Sequence, residues 1–259
     1  SASDAARATE AVTGQALTIT WTGVGAAQGC DLTVRATMRL SADGASRWRL
    51  NVTGTAPGVL WQADFPRLAL RPLGEDFLAV PLYLGRLVRD PHRQPVRYGI
   101  GYPSPLSMQF MATWGTSDRR EPPAEPVTPG QSESGWLVGR QDAHGLLWAA
   151  ADREFHYKRL AVDSQTVPGV LQAWVEHVPA VPAWPLPAQP RFQIAYELPY
   201  DVLIQPFTGD AYTACDLYRG LGLAGPLQKP AGTTDPAYHT PDWFCQVGFW
   251  AKFYQEPSK

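Results

Sequence analysis

Six carboxylates, Asp152, Glu154, Glu176, Glu197, Asp201 and Asp210, fall near the ends of strand-like segments or at the start of a helical one. A pair of such groups held ~5–9.5 Å apart would supply the acid and the nucleophile or base of a glycosidase. That separation is set by the fold and leaves no local motif, so no pair is singled out. Five histidines, His92, His144, His156, His177 and His239, are scattered, and each reads first as a surface or hydrogen-bonded structural group. Ligand contact is expected instead from the rims of loops, where a rigid scaffold usually carries its binding residues. The candidates are Tyr102 and Gln109 beside the stretch 86–105, and Asp152 and Lys158 around the reversal between Ala151 and His156. Residues such as Asp152 and Lys158 more often serve as a turn-former and a solvated charge.

Other chemistries lack an anchor. Gly220-Leu221-Gly222-Leu223-Ala224-Gly225 fits G-x-G-x-x-G, but it follows a helical segment instead of joining a strand to a helix start, and it reads as a helix stop. Gly130-Gln131-Ser132-Glu133-Ser134 misses the second glycine of a nucleophile elbow. Cys30, Cys215 and Cys245 stand far apart with no C-x-x-C pair, and are expected to be buried thiols. No cofactor and no metal are expected.

The elements that must hold these residues are strands. The 259-residue chain carries 25 prolines and 23 glycines, which break helices repeatedly and exclude a helical bundle. With 44% hydrophobic residues, 18% charged residues and a formal net charge of -2, it has a core to bury and no dominant phosphate-neutralising surface. Nucleic acid is therefore not an expected partner. No apolar run approaches the ~20 residues needed to cross a bilayer, and the start lacks a basic region followed by an apolar stretch. A membrane is not expected as a partner either, and a soluble, secreted or periplasmic protein is favoured over a cytoplasmic one.

Alternation of apolar and polar positions marks Leu17–Trp21, Leu32–Leu40 and Trp48–Val52, with Asp43-Gly44 suited to a tight reversal. Further strands are expected at Val59–Phe65, Met108–Trp114, Gly145–Ala151, His156–Val162, Leu171–Val178, Phe192–Leu198 and Asp201–Phe207. A dozen short strands without a blade repeat point to an all-β, large antiparallel two-sheet β-sandwich. The stretches 86–105 and 117–133 are expected to be irregular loops. At Asp210 the period changes to ~3.6: Ala214, Leu217, Tyr218 and Leu221 share a helical face, and Asp210 can cap the first free amides. One C-terminal amphipathic helix is thus expected. Trp48, Trp114, Trp148 and Trp174 sit inside strand patterns and are expected in the core. The high tryptophan content also favours carbohydrate contact, because aromatic faces stack on the apolar faces of sugars.

Three ordered stretches add a resemblance. Gly101–Phe110, then Gly145–Asp152 with Lys158-Arg159, then Pro199–Ile204 and Phe207-Thr208-Gly209-Asp210 through Leu217-Tyr218-Arg219, resemble the sandwich region of a bacterial glycoside-hydrolase-like family. In that family a galactose-mutarotase-like supersandwich precedes a (β/α)8 barrel that carries the catalytic carboxylates. The resemblance implies that residues 15–222 form the sandwich with its terminal helix, after an N-terminal tail over 1–14. Residues 223–259 would be a linker and an aromatic-rich tail leading toward a missing barrel. It implies an accessory, non-catalytic sandwich of a glycoside hydrolase, whose partners are that barrel and carbohydrate. The rival readings are an independent carbohydrate-binding module and a sugar epimerase or lyase on the same fold. Trp243, Phe244, Phe249, Trp250, Phe253 and Tyr254 are expected to cover the sandwich or to join a self-association contact.

Overall fold

The computed structural model describes residues 2–80, 86–93, 97–98, 110–116, 143–152, 154, 156–179 and 193–220. These belong to one compact unit, Ser1–Gly225; Pro226–Lys259 form a second unit outside the described residues, as does the aromatic tail expected there. The strands are β1 (Arg7–Thr13), β2 (Ala16–Val24), β3 (Leu32–Leu40), β4 (Ser46–Pro57), β5 (Ala63–Leu70), β6 (Glu75–Val80) and β7 (Arg86–Arg89). They continue with β8 (Arg97–Tyr98), β9 (Phe110–Thr116), β10 (His144–Ala150), β11 (Lys158–Asp163), β12 (Leu171–His177), β13 (Gln193–Glu197) and β14 (Val202–Thr208), followed by helix α1 (Ala211–Gly220).

A ten-stranded antiparallel sheet runs β1-β2-β3-β4-β14-β10-β9-β6-β7, with β13 also paired to the long β4, and a four-stranded sheet runs β5-β12-β11-β8. Among the described residues the all-β two-sheet sandwich with one α-helix after the last strand is therefore present. Period-two patterning fixes its register: Ala36 lies opposite Leu50, Val34 opposite Val52 and Met38 opposite Trp48, so that the middle of one face of the β3–β4 hairpin is apolar. The hairpin closes as the sequence suggests, with Gly44 at φ 80 and the Asp43 carboxylate accepting the Ala45 amide at 3.0 Å. Between the sheets, Leu50, Val52, Leu78, Met111, Trp148, Leu160, Val162, Leu171 and Val175 form the main core.

Differences from the sequence reading have local causes. β1 lies within the stretch read as a tail; its seven side chains are all exposed, so no hydrophobic alternation announces it. The 86–105 stretch contains β7 and β8, short strands interrupted by polar residues. β5 starts four residues later than the expected Val59 strand and extends to Leu70. Pro66 lies inside it, which is tolerated because β5 edges the smaller sheet and the pairing with β12 shifts register there. Trp114, Trp148 and Trp174 are buried, whereas Trp48 is only half-buried. Cys30 and Cys215 are free and exposed, against the expectation of buried thiols, because Cys30 ends a surface turn and Cys215 faces away from the buried side of α1. No helix among the described residues is long and apolar enough to cross a membrane.

The strand-to-helix junction is built from three residues. Gly209 has φ 132, and a Cβ there would meet Thr213 Oγ1 at 2.2 Å. Asp210 Oδ1 accepts the amides of Tyr212 at 3.0 Å and Thr213 at 3.4 Å, capping α1. Ala214, Leu217 and Tyr218 then pack on Phe207, Trp114 and Phe77. The Phe207 ring lies over Gly145, where a Cβ would come within 2.3 Å of it. Gly145→Ala is thus expected to overpack this satellite core and lower stability by about 1–3 kcal/mol, read as an earlier urea midpoint; an unchanged midpoint would show that the ring moves aside at no cost.

Candidate functional site

Asp152 follows β10 and Lys158 opens β11, so a short reversal returns the second toward the first. Asp152 Oδ1 accepts the backbone amide of Glu154 at 3.0 Å, the turn-forming bond of an aspartate. The same oxygen lies 2.9 Å from His156 Nδ1, while Oδ2 accepts Lys158 Nζ at 2.5 Å. Lys158 is fully buried and Asp152 is 2% exposed, an arrangement stable only because each neutralises the other. Lys158 Nζ also donates to the His156 carbonyl at 3.2 Å and sits 5.1 Å from the centre of the Tyr200 ring.

Tyr200 carries the network inward. Its hydroxyl is 2.7 Å from His177 Nδ1, and His177 Nε2 is 2.7 Å from the Phe65 carbonyl. A carbonyl can only accept, so Nε2 bears the proton and donates to Phe65, and Nδ1 of the neutral ring accepts the Tyr200 hydroxyl. Burial, opposed by the bond to Phe65, holds His177 down at about 4. Burial likewise pushes Tyr200 upward and Tyr196 up to about 12. For Asp152, burial acts upward but is outweighed by the hydrogen bonds from Lys158 and His156 and by the Lys158 charge, leaving the carboxyl below its usual range. Burial lowers Lys158, against the hydrogen bond and charge of Asp152. His156 is the member that reaches the surface, its side chain 39% exposed with Nε2 3.7 Å from the exposed Glu154 carboxylate. Asp152 fixes this ring through Nδ1, so that Nε2 is the nitrogen presented toward the surface, beside the Glu154 carboxylate.

Through Phe65 the network adjoins an open groove of about 730 Å3 along β5, lined by Trp21, Trp48, Gln62, Asp64, Phe65, Pro66, Arg67 and Leu68. Trp48 meets Phe65 edge-on at 6.0 Å and is fixed by its indole N–H donating to Ser46 Oγ at 2.9 Å. Gln62 donates to Asp64 at 2.7 Å, and the Arg67 guanidinium lies 4.9 Å from the centre of the Trp174 ring. On β12, Glu176 accepts the Trp174 indole N–H at 3.2 Å and pairs with Arg159; burial, opposed first by the Arg159 charge, holds it above the ordinary range. The groove thus combines aromatic walls with donors and acceptors, the composition that binds neutral polyhydroxylated molecules.

Of the four ligand-contact candidates, Tyr102 and Gln109 lie outside the described residues. Asp152 and Lys158 are brought together and turned toward each other. The sequence reading did not single out His177, Tyr200 or Trp21, and it set His156 aside with the other histidines. No local signal links them: His177 is 23 residues from Tyr200 and 112 from Phe65.

No family model and no curated protein sequence matches the chain. Solved structures do. The ligand-free α-N-acetylgalactosaminidase NagBb from Bifidobacterium bifidum superimposes with a TM-score of 0.52 at 12% identity, over 85% of this chain and 30% of that one. A quadruple mutant of the same enzyme gives 0.53 at 13%, and its GalNAc complex 0.52 at 14%, each over 85% of this chain and 31% of the other. The likeness is one of fold. The chain spans 30–31% of the length of these enzymes, so a glycoside hydrolase contains a β-rich region built like this one.

Proposed function

We propose that this chain is the accessory β-sandwich of a glycoside hydrolase, buttressing a catalytic barrel of the same polypeptide and contributing carbohydrate contacts along the β5 groove. The observation that carries this reading is the engagement of the buried acids. Asp152 is held by Lys158, Glu176 by Arg159, and Glu75 by Arg89 at 3.0 Å. Asp76 accepts the Leu73 amide at 2.9 Å, Asp163 accepts the Gln165 and Thr166 amides, and Asp210 caps α1. Carboxylates spent on ion pairs, turns and caps suit a scaffold better than a two-carboxylate catalyst. The fold shared with part of an α-N-acetylgalactosaminidase supports the same reading and makes α-linked GalNAc the first sugar to test.

The parent polypeptide with its barrel is expected to release p-nitrophenol from p-nitrophenyl α-N-acetylgalactosaminide or a related glycoside, and residues 1–259 alone are expected to release none. Turnover by the purified chain, lost on substitution of His156, would replace this reading with that of an enzyme. A second reading, an independent carbohydrate-binding module, is favoured by the aromatic walls of the groove. It predicts glycan binding by the isolated chain that weakens in Trp21→Ala.

A further inference from the structure

The outer face of the larger sheet is rich in arginine. On β3 and β4 it consists of the residues that alternate with the core-facing Ala36 and Leu50, and the Thr18 and Thr37 hydroxyls, 3.5 Å apart, mark the same face across β2 and β3. Register sets the guanidinium groups there: Arg35 stands beside Thr20 and Asn51, Arg49 beside Thr37, and Arg39 directly opposite Arg47. The chain as a whole has a formal net charge of -2, yet β2, β3 and β4 contain no acidic residue to balance these cations. Trp21 and Trp48, which wall the β5 groove, point to the opposite side of the same strands, so the two surfaces are separate.

The acids that border this patch balance only part of it. Asp201 pairs with Arg49 and lies 4.0 Å from Arg47, which also reaches Asp43 at 3.6 Å, and Arg49 donates to the Leu198 carbonyl at 2.8 Å. Arg35 and Arg39 are exposed and pair with no carboxylate among the described residues. Like charges directly opposite each other weaken an antiparallel pair, so Arg39 beside Arg47 favours the arrival of an anion. An open depression of about 510 Å3 lies over this spot, lined by Thr37, Arg39, Arg47, Arg49, Glu197 and Asp201.

We propose that this face binds a linear glycan bearing carboxylates, a polyuronate, with Arg35 and Arg39 as its unpaired anchors. A guanidinium can meet a carboxylate with two parallel N–H donors, and Arg49 and Arg47 hold the Asp201 carboxylate on this same surface. Arg35 and Arg39 are four residues apart on one strand, or roughly 13 Å, and Arg39 and Arg47 stand about 5 Å apart across two. A small anion would touch one end of that array, whereas a chain with a carboxylate on each sugar spans it. The threonine hydroxyls between the arginines donate and accept, as sugar hydroxyls require. No aromatic side chain of β2, β3 or β4 lies on this face, so unpaired nucleic-acid bases would find nothing there to stack on. The choice of a glycan over another polyanion rests on the glycoside-hydrolase reading above.

The test is a calorimetric titration of the full chain with polygalacturonate at low salt, with its fully methyl-esterified form as the neutral counterpart. The acidic polymer is expected to bind saturably, and more weakly as salt rises, while the ester is expected not to bind. Arg35→Gln combined with Arg39→Gln is expected to weaken binding about tenfold and to leave the urea midpoint unchanged, since both side chains are exposed. If the double variant loses stability, Arg35→Gln alone carries the comparison. The proposal is overturned if polygalacturonate does not bind, if the ester binds equally, or if binding survives the substitutions unchanged. It is also overturned if double-stranded DNA or polyglutamate binds as tightly, since any polyanion would then suffice. Glycosidase turnover by the parent polypeptide is measured separately: no polygalacturonate binding beside an active parent removes this surface alone, and an inactive parent removes the accessory reading alone.

Discussion

Lys158→Met is expected to destabilise the sandwich by about 3–5 kcal/mol. The methionine fills most of the lysine's volume, so packing changes little. What is lost is the cation that neutralises Asp152, a carboxylate 2% exposed and left, among the described residues, with the Glu154 amide and the His156 ring. Asp152→Asn should act in the same direction by stranding the fully buried ammonium. The double replacement Asp152→Leu with Lys158→Met removes both charges and is expected to recover most of the loss, since replacing a buried pair outright is far cheaper than breaking it. Urea unfolding of the three variants decides the matter. Single-variant losses below about 1 kcal/mol would mean that solvent reaches the pair and that its burial is not what holds the reversal between β10 and β11.

Acidification is expected to weaken the fold through His177. The ring is neutral in the folded protein, held at about 4, whereas in the unfolded chain it titrates near 6.5. As pH falls below 6.5 the unfolded state takes up a proton that the folded state refuses, so the unfolded state gains. The loss accumulates down to about 4 and reaches roughly 3 kcal/mol, following from about 1.4 kcal/mol for each unit of separation. Asp152 behaves in the same sense but lower: its folded value lies below 3.8, so its contribution begins to disappear only beneath the unfolded value. The two windows are therefore separable. Thermal unfolding measured from pH 7 to pH 4 should show the decline in the wild-type protein and a flatter profile in His177→Gln, whose amide can still donate to Phe65. An equal pH slope in both proteins would assign the decline to other groups.

These two expectations concern a network that is mostly interior, and they bear on function through its outer ends. At one end His156 brings a fixed ring to the surface; at the other, Phe65 contributes its ring to the groove and its carbonyl to His177. A ligand pressing on the groove would thus lean on a wall whose backbone is anchored to the core by a histidine and a tyrosine. Rigid support of this kind preorganises aromatic surfaces and spares the side-chain ordering that binding otherwise costs.

Much of this architecture was legible in the chain itself. Alternation over Leu32–Leu40 and Trp48–Val52 specified two strands and their buried face, Asp43-Gly44 specified the turn between them, and the switch of period after Asp210 specified the capped helix. Each of these is a local preference of the backbone or a periodic pattern, and therefore survives in the one-dimensional record. β1, with every side chain exposed, left no such record and exists because the edge of β2 offers it backbone partners. The pairing of Asp152 with Lys158 was half visible, as two polar residues flanking one reversal, but their burial was not, since only the packing of the smaller sheet against the larger removes them from water. His177, Tyr200 and the Phe65 carbonyl meet across as many as 112 residues, and His92 meets Asp76 only because β6 and the turn after β7 share an edge. Sheet pairing and layer packing decide such meetings, and the free energy that selects them comes from the whole core, so no short stretch of sequence encodes them.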